Sequence, residues 1–425
     1  SSPSSPSFSE DEKREPPTSG ETSKDEQRQR RVLSRLYSPN LLVKACQSTS
    51  EFVHLQVARS LAFLSKDRES AIKMGQSGTF EAIWLLSHTP TVSGGKGSEL
   101  LRLMIETTIN LVAVPRNAAK LKGSLPLLHL IRIWASIISD QPELTPKLLA
   151  LLVVLSRASS SDGAAAEPSC SSEMSGYEDV VQEMSQVQAM LRSEGDLFVG
   201  QKLLLDALLP LHTTTLLKAV TPKLLNQSFG LTLDVLIGFA MELKKFPPER
   251  LANQKFVNRL IGDSFTILRD IAHKDFEDAI QPQTRRLMAQ AISYFAQYNQ
   301  GRAELVRPGS QWLILLSAWA SSPDPVLRLH TAHALAHLLE NDLVGTYVIQ
   351  EVGLGLIASL TDIVDLDVQN TVARMFGRLR SRSAKEFDSS CALIKDCTLD
   401  HEWRLVQSNP VVNANEIDAS DEGGL

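Results

Sequence analysis

Three histidines, His330, His333 and His337, fall within the stretch VLRLHTAHALAHLL. His333 and His337 are four residues apart, so on a helix they share one face. Two imidazoles on a face make half of a metal site when another element brings further ligands. No matching acid or histidine motif lies nearby, and the sequence assigns no metal and no cofactor. At positions 41 residues further on stand Arg374 and Arg378, with the same spacing. Guanidinium groups grip carboxylates through two hydrogen bonds, and imidazoles add charge as pH falls toward about 6.5. Such a row suits an acidic peptide segment of a protein partner, held more tightly in mild acid and less tightly in salt. The same residues also read as a solvated helix face that binds nothing.

Sites for covalent or phosphate chemistry are not assembled. The phrase GQSGT at Gly75 lacks the glycine spacing of a nucleophile elbow, and GGKGS at Gly94 lacks both the Lys-Ser or Lys-Thr spacing of a phosphate loop and a preceding strand. Cys391 and Cys397 have no second pair to complete a zinc site. With no nucleophile, acid and base in sight, the expectation is a chain that is not an enzyme. It reads as a protein-protein interaction scaffold or a structural subunit of a larger assembly. The alternative is the regulatory or docking portion of a larger enzyme whose catalytic domain lies outside this chain.

The helices that must carry these side chains show themselves by repetition. Within residues 321–379, Asp324 is a candidate N-cap with Pro325 at the first helical position, where a missing amide proton costs nothing. Leu329, Ala332, Leu335, Leu338 and Leu339 then follow a period near 3.6. Asp365 restarts the pattern, so that Val372, Phe376 and Leu379 stand where Thr331, Leu335 and Leu338 stood. Taking the last apolar residue of each long helix as an anchor gives Leu64, Leu111, Leu155, Phe295, Leu338 and Leu379, spaced 47, 44, 140, 43 and 41 residues apart. Most anchors are followed by a short amphipathic turn, a glycine (Gly78, Gly123, Gly309 or Gly353) and an apolar helix. A period near 40 is the signature of stacked helical repeats. The long gap then holds an insertion plus one or two irregular repeats.

In these residues the chain resembles the armadillo-repeat family, whose unit is a short helix, a glycine-marked bend and two longer helices. The resemblance covers residues 50–155 and 276–379, and related HEAT repeats share much of the pattern. It implies an all-α, right-handed superhelical solenoid with an extended concave face. In armadillo proteins that carry linear peptides, the third helix presents a Trp and, four residues later, an Asn that holds the peptide backbone. The matching positions here are Arg59 and Phe63, Glu106 and Asn110, Gln290 and Tyr294, His333 and His337, and Arg374 and Arg378. Only Asn110 keeps the family's residue, which disfavours a nuclear-transport cargo adaptor while leaving all ten as candidates to line a groove.

Composition sets the remaining bounds. Residues 1–31 are Ser, Pro and charged residues with one aromatic, Phe8, and read as a disordered tail. Residues 32–157 read as N-terminal repeats, 158–180 as a Ser-rich disordered insertion, 181–275 as irregular helical repeats, 276–385 as C-terminal repeats and 386–425 as an extension that ends disordered. In the irregular part, residues 187–217 read as a helix broken near Gly200 and Pro210, residues 224–243 and 257–273 read as further helices, and KKFPPER from Lys244 reads as a linker by its paired prolines. A net charge of -6 gives no electrostatic case for nucleic acid. No run approaches the 18 or so apolar residues that span a bilayer. Four scattered cysteines suggest a reducing compartment, with the cytoplasm expected. The alternative is an organelle interior, since an Arg-containing, Ser-rich start suits what remains after transit-peptide cleavage.

Overall fold

The computed structural model describes residues 39–76, 78–89, 97–122, 124–138, 141–157, 178–193, 198–218, 221–246, 251, 255–276, 280–340 and 342–352, with isolated positions 366, 369, 370 and 373. The two terminal tails, nearly all of the insertion, Gly123, Gly353, Arg374 and Arg378 lie outside them. Among the described residues every regular element is a helix and no strand occurs. The chain divides into two compact units, one reaching Ala118 and including the start of the helix after the insertion, the other holding the remainder.

In the first unit α1 (Pro39–Cys46) packs on α2 (Glu51–Leu64) and on α4 (Thr79–Ser87). The main packing partner of α2 is α5 (Gly97–Val112), which also meets α3 (Arg68–Met74). Leu55, Ala58, Leu61 and Ala62 of α2 are buried at helical spacing, facing a partner that buries Leu100, Leu101, Met104 and Leu111. Asp67 opens α3 by accepting from the Ser70 amide at 2.9 Å and the Ser70 hydroxyl at 2.8 Å, an N-cap that satisfies an otherwise orphaned donor. The GQSGT phrase is a bend: α3 ends at the cap Gly75 and α4 starts after Gly78. Asn117, in α6 (Pro115–Lys122), donates its amide to the Ala71 carbonyl at 2.8 Å and so ties α6 to α3. The Cys46 thiol is buried, and burial pushes its pKa up to about 12.

The second unit contains α7 (Leu125–Ile137), α8 (Thr145–Arg157), α10 (Val199–Lys218), α11 (Pro222–Leu243) and α12 (Lys255–Phe276). It continues with α13 (Pro282–Phe295), α14 (Asn299–Leu305), α15 (Trp312–Ala320), α16 (Pro325–Leu339) and α17 (Asp342–Val352). Between α8 and α10 lies α9 (Glu178–Ser193), whose first residues belong to the first unit. Four long helices, α8, α11, α13 and α16, pack each on the next in that order, and α7 packs on α10 beside them. The long gap between Leu155 and Phe295 thus contains one more helix of the same rank, α11, ending at the buried Leu243. By length and composition α11 is apolar enough to cross a bilayer, contrary to the expectation that no run approaches this, yet 61% of its most apolar window is buried, between α8 and α13.

The expected break at Pro210 does not occur. Instead α9 stops at Ser193, and α10 runs unbroken through Pro210 to Lys218. Proline removes one amide donor from the helix ladder, but Leu203, Leu204, Leu205, Leu208 and Leu211 are all buried around it, and α7, α8 and α11 all pack against α10. Tertiary packing therefore overrides the local preference to stop.

Three of the stacked helices begin alike, with Thr221-Pro222, Gln281-Pro282 and Asp324-Pro325. Thr221 accepts from the Leu224 amide, and Asp324 accepts from Val326 N at 3.1 Å and Leu327 N at 3.4 Å. Asp324 also receives the Arg286 guanidinium of α13 at 2.6 Å, and this hydrogen bond is the largest cause holding its carboxyl below the usual carboxylate range. A lowered folded pKa gives stability that is present above the unfolded value and lost as pH falls through the folded one. Asp324→Ala is therefore expected to lose about 1 kcal/mol at pH 7 through the missing cap, with the thermal melts of the two proteins drawing together as pH falls below the ordinary carboxylate range.

Candidate functional site

The candidate positions lie at the carboxyl-terminal ends of the stacked helices, and in the first unit they are already engaged. Arg59 of α2 reaches Glu99 of α5 at 2.8 Å, and Lys66 reaches Glu106 at 3.4 Å, with Arg102 at 3.6 Å from the same carboxylate. Asn110 donates to Ser65 Oγ at 3.0 Å, immediately past the end of α2. Asn110 thus commits one of its two amide hydrogens to the neighbouring turn. Phe63 is half-buried beside these groups.

In the second unit the equivalent places on α13 and α16 are partly open. The Lys244 ammonium, immediately past the end of α11, sits 4.5 Å from the centre of the Tyr294 ring, a cation-π contact in the same relation as Ser65 to Asn110. Gln290 donates to Tyr294 Oη at 3.4 Å. On α11, Glu242 is buried and takes the Lys245 ammonium on both carboxylate oxygens at 2.8 Å. On α16, His333 and His337 are both half-buried, and His337 Nδ1 stands 3.4 Å from Glu340 Oε1 without forming a hydrogen bond. Burial, and secondarily the charge on His333, lower the pKa of His330, so the neutral form is favoured there. Part of the acid-induced charge expected of this histidine row is therefore withheld. Among the described residues no three His, Cys, Asp or Glu side chains converge as a metal site would require.

In the sequence, residues 224–243 read as a helix and the segment from Lys244 as a linker, with no site role for Gly238, Glu242, Lys244 or Lys245. The signal that would have found this α11 contribution is the cap-proline start at Thr221-Pro222, shared with α16. Gly238 stands five residues before the last-turn Leu243 of α11, as Gln290 stands before Phe295 of α13 and His333 before Leu338 of α16. A Cβ there would lie 2.3 Å from Ser156 Oγ of α8, so the row of side chains is interrupted where α8 and α11 touch.

No protein-family model matches the chain, and no curated protein does. Among solved structures, the chain is similar to an engineered protein at 13% identity, with a TM-score of 0.34, over 90% of this chain and 96% of that one. A likeness at that TM-score carries no argument about architecture or activity.

Proposed function

We propose that the chain is a non-enzymatic, armadillo-like repeat scaffold whose second unit binds an acidic segment of a protein partner along the ends of α11, α13 and α16. The observation that carries this reading is the placing of Gln290 and Tyr294 on α13 and of His333 and His337 on α16 at equivalent positions on consecutively packed helices, with Lys244 just past the end of α11 against the Tyr294 ring and the two histidines half-buried rather than sealed in the core. The chemistry is mixed cationic and aromatic, which suits a carboxylate followed by an apolar side chain. Arg374 and Arg378 would extend the row if the 41-residue offset continues into the next repeat.

The test replaces Tyr294 with the photo-crosslinking residue p-benzoylphenylalanine and maps the captured peptide by mass spectrometry. Capture of one acidic segment is expected, and it should vanish when the rest of the row is altered by Gln290→Ala with His333→Ala. The thermal melt should move little, since substitutions outside the core shift stability by about 0.5 kcal/mol or less. Identical capture by the altered protein at the same salt would defeat the reading.

A further inference from the structure

One face of α12 is held apart from the elements opposite it by a cleft. Gly262, Phe265, Thr266, Arg269, Ala272 and His273 follow the spacing of a single helix face and line a cleft of about 530 Å³, closed on its other side by the segment from Glu304 to Leu315. The volume falls within the roughly 300–1,000 Å³ of sites for small organic ligands. Its floor is fixed: Phe265, Trp312 and Leu315 are buried, the Phe265 and Trp312 rings meet edge to face at 5.8 Å, and Phe265 also meets Phe295 at 6.3 Å.

Two features say that the space is kept open. Gly262 lies in the interior of α12, where glycine costs helix stability relative to alanine. No close approach explains it, because a Cβ built there meets nothing within 4 Å. The opposite wall turns at Gly309, whose φ of +79° only glycine adopts without strain, and a Cβ there likewise meets nothing within 4 Å.

Among the charged lining residues Arg269, Glu304 and Arg307, the one left without a partner is cationic. Arg269 makes no ion pair or hydrogen bond among the described residues, and it is exposed on the cleft face. The lining carboxylate, Glu304, is already neutralised by Arg307 at 2.8 Å and accepts from Gln300 at 3.2 Å. The N-cap residue Gln311 and Trp312 at the start of α15 belong to the wall, and Gln311 gives no side-chain capping bond. An apolar aromatic floor beside one unpaired guanidinium matches a ligand with an apolar body and one anionic head.

The geometry points to a binding site for a small amphipathic carboxylate, its aryl or alkyl body on Phe265, Trp312 and Leu315 and its head at Arg269. This site is separate from the row of helix ends proposed above and does not depend on it.

Calorimetric titration of the full chain with 4-phenylbutyrate, and with 4-phenylbutan-1-ol as its uncharged counterpart, tests the assignment. Saturable binding of one acid per chain is expected, at least about tenfold tighter than the alcohol. Arg269→Ala should remove that preference while leaving the alcohol's affinity unchanged, and Gly262→Leu, which fills the cleft, should abolish binding of both with the thermal melt retained. If Gly262→Leu lowers the melt, Gly262→Ala replaces it and should weaken both ligands. Equal binding of acid and alcohol to the wild type, no saturable binding of either, or wild-type binding by the Gly262 variant would each overturn the assignment. So would binding of an acidic aromatic peptide at this cleft when 4-phenylbutyrate does not bind.

Discussion

Leu335→Asp is expected to unfold at least the carboxyl-terminal helices of the second unit. Leu335 is 0% exposed on α16, and that helix packs on α13, α15 and α17. The substitution removes a core side chain, at about 2–5 kcal/mol, and leaves an unpaired carboxylate that must be buried charged or protonated at further cost. For a unit of this size each kcal/mol moves the melt by about 2–4 °C, so a fall of more than 10 °C, or loss of the folded baseline in circular dichroism, is expected. Val326→Asp is the control. Val326 is 42% exposed in the first turn of the same helix, where an acid suits the helix dipole, and its melt should barely move. An unchanged melt for Leu335→Asp would mean that this face of α16 is not the packed one.

Gly301→Val should be nearly as damaging, for a steric reason rather than an electrostatic one. Gly301 is buried in α14, and a Cβ placed there would lie 2.0 Å from the Phe295 carbonyl oxygen and 2.7 Å from its carbon. Those are backbone atoms at the end of α13, which cannot turn aside as a side chain can. The two helices must separate, at a cost of about 3 kcal/mol or more. The following helix pair, α16 and α17, provides a graded comparison. Gly345 follows Leu339 by the same six residues, but its Cβ would lie 3.3 Å from the Leu339 oxygen, a contact that a small shift relieves. Thermal melts should therefore rank Gly301→Ala well below Gly345→Ala, and equal melts would show that α14 does not bear on α13 this closely.

The helices were legible in the sequence wherever periodicity was strong. Leu64, Leu111, Leu155, Phe295 and Leu338, chosen as helix-end anchors, are all buried in the last turn of α2, α5, α8, α13 and α16. The α11 helix was read within two residues of its start and to its last residue, but the insertion displaced it from the 40-residue period and so hid its rank among the anchors, and Pro210 misled because local propensity was weighed without the packing around α10. Candidate site residues were legible as positions but not as partners. That Asn110 would meet Ser65, 45 residues away, or Tyr294 meet Lys244, is decided by how helices stack, which no local pattern encodes. The close approach at Gly301 was invisible for the same reason, since the reading assigned the glycine signal to Gly309. The cleft beside α12 is likewise a product of separation between elements.

The buried Cys46 thiol has a kinetic consequence. Alkylating reagents attack thiolate, and a thiol held near pKa 12 supplies almost none at neutral pH, besides being only 2% exposed. Because α1 is anchored to α2 and α4, Cys46 becomes nucleophilic only in the moments when α1 lifts away from them. The rate at which its own peptide gains an alkyl group is therefore a clock for the opening of the first unit at that helix, read without unfolding the rest of the chain.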